Sequence, residues 1–300
     1  MSPAEDMRDG GRAGRPGHWH AGVARAALPG GRWHFQHGPI DLVIAADGDP
    51  AAVGQALECA WERFQSVLTE LAGELRLLRK PVELASGVRG SVAQRMVAAC
   101  LPHRAVFITP MAAVAGAVAD ELIEAFRRQP GVERAYVNNG GDIALHLGQG
   151  QRYRVGLFAD LGRVQRAERW RLDGDFELQP EVPARGVATS GWRGRSLSLG
   201  IADSVTVLAG TAAAADAAAT LIANAVNVED PAVVRRPACT LKDDTDLGER
   251  PVTVEVGTLS VTAVDEALDA GAAAAGRMLD QDLIWAATLW LQGRNRTRIG

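Results

Sequence analysis

The chain has 300 residues, of which 47% are hydrophobic and 23% charged, with a formal net charge of −4. That is an ordinary globular composition, long enough for one large domain or two small ones, and the mild acidic balance without a basic stripe excludes the electrostatics of a nucleic-acid binder. No apolar run approaches the length needed to cross a bilayer, and Cys59, Cys100 and Cys239 lie far apart with no CxxC pair, which excludes a disulfide framework and a zinc knuckle.

Residues 1–30, rich in Gly, Arg and His, read as a disordered N-terminal tail without the apolar core of a secretory signal, so the protein is expected in the cytoplasm with reduced thiols. His18 and His20 read as solvated. Order is expected from about residue 31, with two short strands around Gly38 and Pro39. A helix follows Asp49: Pro50 suits its first turn, Leu57, Trp61, Phe64, Leu68, Leu71 and Leu75 recur at three and four, and Pro81 stops it. A shorter helix is expected over Ser91 to Cys100, and a strand through Val106 to Ile108. Small residues carrying Gly116 and Asp120 then open a helix that ends before Pro130 and Gly131.

Strands through Ala135–Val137 and Ile143–Leu147 flank Asn138, Asn139, Gly140, Gly141 and Asp142. Adjacent glycines make a tight hairpin turn, and they equally let a ligand approach the main chain. Both readings stay open on the sequence. Beyond a strand at Arg152–Leu157, the stretch from Asp160 to Pro183 is expected as an irregular hairpin with Trp170 or Phe176 packing inward.

Thr189, Ser190 and Gly191 read as a loop that touches a ligand, Ser204–Leu208 as a buried strand, and Thr211 as the N-cap of an alanine-rich helix. Inside that helix Asp216 and Thr220 stand four apart, on one face. A carboxylate among alanines needs a partner. A hard cation such as Mg²⁺, a backbone amide or an arginine each meets the need. Residues 227–249 read as a loop whose acids Asp243, Asp244 and Asp246 are solvated. Strands at Val252–Val256 and Leu259–Val261, a helix from Ala263 to about Leu279 and an apolar element at Leu283–Leu291 complete a single domain over residues 31–293, with residues 294–300 as a C-terminal tail. Strands followed by long helices without strict βαβ alternation predict an α+β class.

The ordered set TPMAAVAGAVAD, VNNGGD, VATSG, SVTVLA and ADAAAT resembles the ApbE superfamily, the FAD:protein FMN transferases, and is closest to a short cytoplasmic branch of it. The resemblance covers roughly residues 109–226. It implies an ApbE-like domain of mixed or antiparallel sheets with packed helices, and an Mg²⁺-dependent enzyme that cuts FAD at its pyrophosphate and passes FMN to an acceptor protein or to water. It further implies that Asn138, Asn139, Gly140, Gly141, Asp142, Thr189, Ser190 and Gly191 hold the flavin nucleotide. The metal ligands it implies are Asp216, Thr220 and a main-chain carbonyl near Val114. Two departures stand out: the place of the family's motif histidine reads Ser198 to Asp203, leaving Asp203 as the candidate base, and the family's lysine is Ala115. A noncatalytic flavin, nucleotide or small-metabolite binder of the same fold is the alternative. Neither a membrane nor a nucleic acid is an expected partner, and homo-oligomer formation stays open.

Overall fold

Asp49 accepts a hydrogen bond from the Ala52 amide at 2.9 Å and so starts α1 (Pro50–Leu78), the longest helix, with Pro50 in the first turn where it loses no intrahelical bond. Similar hydroxyl caps set two later helices: Thr211 accepts from Ala214 N to open α4 (Ala212–Ala225), and Ser260 accepts from Ala263 N to open α5 (Val261–Leu279). Between α1 and α4 in sequence lie α2 (Ser91–Cys100) and α3 (Val114–Arg127). The computed structural model describes residues 22–84, 87–157 and 174–300. His18, His20 and Trp170 lie outside the described residues.

The strands are β1 (Ala24–Leu28), β2 (Arg32–His37), β3 (Ile40–Gly48), β4 (Val132–Asn139), β5 (Asp142–Leu147), β6 (Tyr153–Leu157), β7 (Gly174–Leu178), β8 (Gly186–Ser190), β9 (Ser204–Ala209), β10 (Val233–Pro237), β11 (Pro251–Val256), β12 (Ala286–Leu291) and β13 (Arg294–Ile299). Nine of them form one sheet in the order β1-β2-β3-β4-β5-β8-β9-β12-β13, and β6-β7 and β10-β11 form two hairpins. Every pairing among the described residues is antiparallel, so the sheets are antiparallel and not mixed, within the expected α+β class.

The pleat divides the sheet into two faces. Ala135, Val137, Ala144, Ala188, Val205, Val207, Leu289 and Leu291 face the helices. Tyr136, Leu145, Val187, Leu208 and Ala286 face away, toward Tyr153, Val155 and Phe176 of the β6–β7 hairpin. On the helix side two cores form, one around Phe35, Phe64 and Phe126 and one around Ile222, Leu268 and Leu289. Each of these buried side chains stabilises the fold by roughly 1.5–3 kcal/mol. Helix α4 belongs to both: Ala213, Ala217 and Leu221 join the first, Ala215, Ala218 and Ile222 the second. An alanine rod is what lets one helix be enclosed on both flanks.

Several expectations are corrected. In the N-terminal tail, residues 24–28 are β1, turned onto β2 through Gly30 and Gly31 at φ +76° and +72°, with Arg25 bonded to Glu58 at 2.7 Å. The C-terminal tail is β13, because its arginines pair with α5: Arg294 and Arg296 with Asp265 at 3.0 Å each, and Arg296 with Asp269 at 2.8 Å. VATSG is strand β8 through Ser190 and not a free loop, and residues 233–237 are β10 paired with β11. Residues 106–108 and 259–261 form no strand. Val106 N bonds the His103 carbonyl locally, Ile108 O accepts from Val82 N, and Ser260 is consumed as the cap of α5. Nor are the acids at 243–246 simply solvated: Asp244 pairs with Arg79 at 2.6 Å, and Asp246 accepts from the buried Thr109 hydroxyl. No helix of the described residues is long and apolar enough to cross a membrane.

Candidate active site at the crossing of α3 and α4

Helices α3 and α4 cross at their first turns. Gly116 lies so close to α4 that a β-carbon there would fall 2.3 Å from the Ala212 carbonyl oxygen. Each helix then caps the other. Asp120 of α3 accepts from Ala212 N at 3.0 Å and Ala213 N at 2.8 Å, while Asp216 of α4 accepts from Gly116 N at 3.0 Å and from the Ala115 amide. Four residues separate each carboxylate from the crossing point on its own helix, so one helical turn positions both. Carboxylates at helix N-termini are also favoured by the helix dipole, by up to about 2 kcal/mol in partly buried settings. The partner of Asp216 is thus a pair of backbone amides on one side, one of the three solutions the sequence allows.

The NNGGD segment supplies the other side. Gly140 and Gly141, at φ +66° and +117°, form the two-residue turn between β4 and β5 that residues with side chains strongly disfavour. Asn138 Oδ1 accepts from Gly141 N at 2.8 Å, and Asn139 Nδ2 donates to the Ala115 carbonyl at 3.1 Å, docking the turn onto the start of α3. By the pleat, Asn139, Asp142 and Ser190 share the helix face with Ala135, Val137, Ala144 and Ala188. Thr189 does not. Its hydroxyl pairs with the Thr206 hydroxyl at 2.9 Å on the opposite face, while its amide stays at the site and donates to Asp142 Oδ1 at 3.3 Å. Gly191 packs against main chain: a β-carbon there would meet the Asp203 carbonyl oxygen at 2.6 Å.

Asp142 and Asp216 therefore face one region, half-buried, from a strand and a helix. Burial first, and then the charge of Asp142, hold the Asp216 carboxyl well above the ordinary range despite its bonds from Gly116 and Ala115. Burial also pushes Asp142 up to about 7, opposed by the Thr189 amide and the charge of Arg195. Thr220, one turn beyond Asp216 and also half-buried, has no hydrogen-bond partner for its hydroxyl among the described residues. Val114 is the first residue of α3, in the turn whose amides bond Asp216. Two opposed carboxylates, a hydroxyl and a nearby main-chain carbonyl are all-oxygen donors, the chemistry that suits a hard divalent cation such as Mg²⁺. Among the described residues no cluster of three or more His, Cys, Asp and Glu side chains is arranged for a metal.

Asp203 is buried just before β9 and is engaged on both oxygens. Oδ2 accepts from Gln292 N at 2.6 Å and Oδ1 from the Trp192 indole at 3.4 Å, tying the segment after β8 to the β12–β13 turn.

A family model described as AbpE bacteria matches residues 25–297. The chain belongs to this AbpE family. Its match runs through β1 and β13, both of which lie outside the expected domain of residues 31–293. Relatives of this AbpE chain include the UPF0280 protein of Methanosarcina acetivorans, 32% identical over 67% of this chain and 74% of that one. The UPF0280 protein of Methanothermobacter thermautotrophicus is 39% identical over 50% of this chain and 55% of that one, so the chain spans about half the length of that relative. Among solved structures, a histidine-to-glycine variant of flavin transferase ApbE from Vibrio cholerae is 13% identical, with a TM-score of 0.45, over 92% of this chain and 96% of that one.

Two contributors to the site of this AbpE protein went unassigned in the sequence. Asp120 was only a residue of its helix, although VAGAVAD and GTAAAAD share a signal: small residues followed by an aspartate in the second turn. Arg195 was one arginine of a loop, and nothing local to the sequence says that it reaches Gly140 and Asp142.

Proposed function

We propose that this protein is an Mg²⁺-dependent flavin nucleotide enzyme that cleaves FAD at its pyrophosphate and transfers FMN to a hydroxyl of an acceptor protein or to water. The observation that carries this reading is the placement of Asp142 against Asp216, with Thr220 a turn away, beside the side-chain-free turn of Gly140 and Gly141. Asp142, Asp216, Thr220 and the Val114 carbonyl would hold the cation. Its contribution when bound is to offset the charge of the pyrophosphate and make the phosphorus more electrophilic. The glycine turn, Asn139, Ser190 and the Thr189 amide line the approach of the nucleotide, and Asn138 keeps the turn in shape. In the reaction the hydroxyl oxygen bonds to the FMN phosphorus, the anhydride P–O bond breaks, and AMP departs with the electron pair. The hydroxyl proton passes to solvent. We assign Asp203 a positioning role, since its bonds to Gln292 and Trp192 hold the loop that follows β8.

A second reading, a flavin or nucleotide binder without turnover, is favoured by that same engagement of Asp203 and by the lack of the motif histidine between Ser198 and Asp203. Incubating the protein with FAD and Mg²⁺ and following AMP by chromatography separates the two. Release of AMP that is lost in Asp216→Ala supports the enzyme; FAD binding without AMP supports the binder. Failure of the wild type to bind FAD at all would remove both.

A further inference from the structure

Arg195 sits at this site. It is exposed in the segment between β8 and β9, and its guanidinium lies over the hairpin turn: a β-carbon on Gly140 would be 2.0 Å from Nη2. Among the described residues it forms no hydrogen bond and no ion pair, although it is close enough to Asp142 for its charge to act on that carboxylate. Asp142 and Asp216 alone would repel an approaching phosphate. A guanidinium at the rim reverses that sign locally, and its planar fork of donors matches two phosphate oxygens at once. Glycines at 140 and 141 leave the main chain open beneath it.

Resting on the nucleotide reading above, we infer that Arg195 is the phosphate-recognising residue of this site and that it selects a phosphoanhydride over a monophosphate. One phosphate of a nucleoside diphosphate unit is held by Arg195 across the Gly140–Gly141 turn, and the next reaches toward Asp142, Asp216 and Thr220 by way of the cation. A monophosphate satisfies only one of the two ends. Arg193, in the same loop, is instead stacked on Trp192, 4.8 Å from the ring centre, and serves as the control for loop charge.

The test is calorimetric titration with FAD, ADP and AMP in the presence of Mg²⁺, and with Mg²⁺ alone, on the wild type, Arg195→Met, Arg195→Lys and Arg193→Met. The expected result is that Arg195→Met weakens FAD and ADP by about 10–100-fold and narrows the preference for ADP over AMP. Arg195→Lys recovers part of the loss and Arg193→Met costs little. Mg²⁺ alone binds Arg195→Met no more weakly than the wild type, because the lost residue is a competing cation and not a ligand. Equal FAD affinity in the wild type and Arg195→Met, or an equal loss from Arg193→Met, overturns the inference and leaves the proposed function standing. A wild type that binds neither FAD nor ADP with Mg²⁺ overturns both.

Discussion

At the scale of single residues, the pair formed by Asp142 and Asp216 dominates. Both carboxyls are raised by burial, so in the metal-free protein each keeps its proton at a pH where the unfolded chain has lost it. The stabilisation is complete below the unfolded value near 4 and is lost as pH rises through about 7, the folded value of Asp142. The thermal midpoint of metal-free protein should therefore fall between pH 5 and pH 8, and Asp142→Asn should flatten that slope. Mg²⁺ competes with the protons, so its stabilisation should be larger at pH 8 than at pH 5. A midpoint independent of pH in the metal-free protein, with no response to Mg²⁺ at pH 8, would remove the carboxylate pair as a site. The spacing of Asp216 and Thr220 was legible because one helical turn relates them. That Asp142 opposes them was not, since no local rule connects a β-turn to a helix seventy residues later.

At the scale of elements, the crossing of α3 and α4 controls where Asp216 stands. Gly116→Ala forces a methyl group onto the Ala212 carbonyl, and the expected loss is about 1–3 kcal/mol by urea denaturation, with weaker Mg²⁺ binding because the helices separate. Asp120→Ala strips the Ala212 and Ala213 amides of their acceptors and should cost about 1–3 kcal/mol. Unchanged stability in both variants would show that the helices do not meet as closely as described. The starts of α1 and α4 were readable because Asp49 and Thr211 cap their own helices within three residues, whereas Ser260, which caps α5 in the same way, was read as part of a strand. Strands were read less well. The β8 and β10 segments are short and polar at one end, and they become strands only because β9 and β11 offer edges to pair with, whereas Val106–Ile108 has the composition of a strand and no edge beside it.

At the scale of the whole molecule, β1 and β13 form the two edges of the nine-stranded sheet. Deleting residues 294–300 removes β13, opens the edge of β12 and leaves Asp265 and Asp269 without their arginines. The thermal midpoint should drop by at least several degrees and the protein should associate through the exposed strand, visible by light scattering. A deletion with no effect on either measurement would return residues 294–300 to the status of a tail.

What the amino-acid sequence settled by itself was local: most of the helix spans, the Thr211 cap, the pair Asp216 and Thr220, and the ordered motifs that resemble one family. Tertiary structure alone decided that Thr189 turns its hydroxyl away while its amide remains, that Asp120 and Asp216 exchange helix ends, and that Arg195 lies on Gly140. Periodicity and capping act within a few residues and can be read along the chain. Strand pairing and helix crossing depend on which distant segments share a face, and only the folded chain fixes that choice.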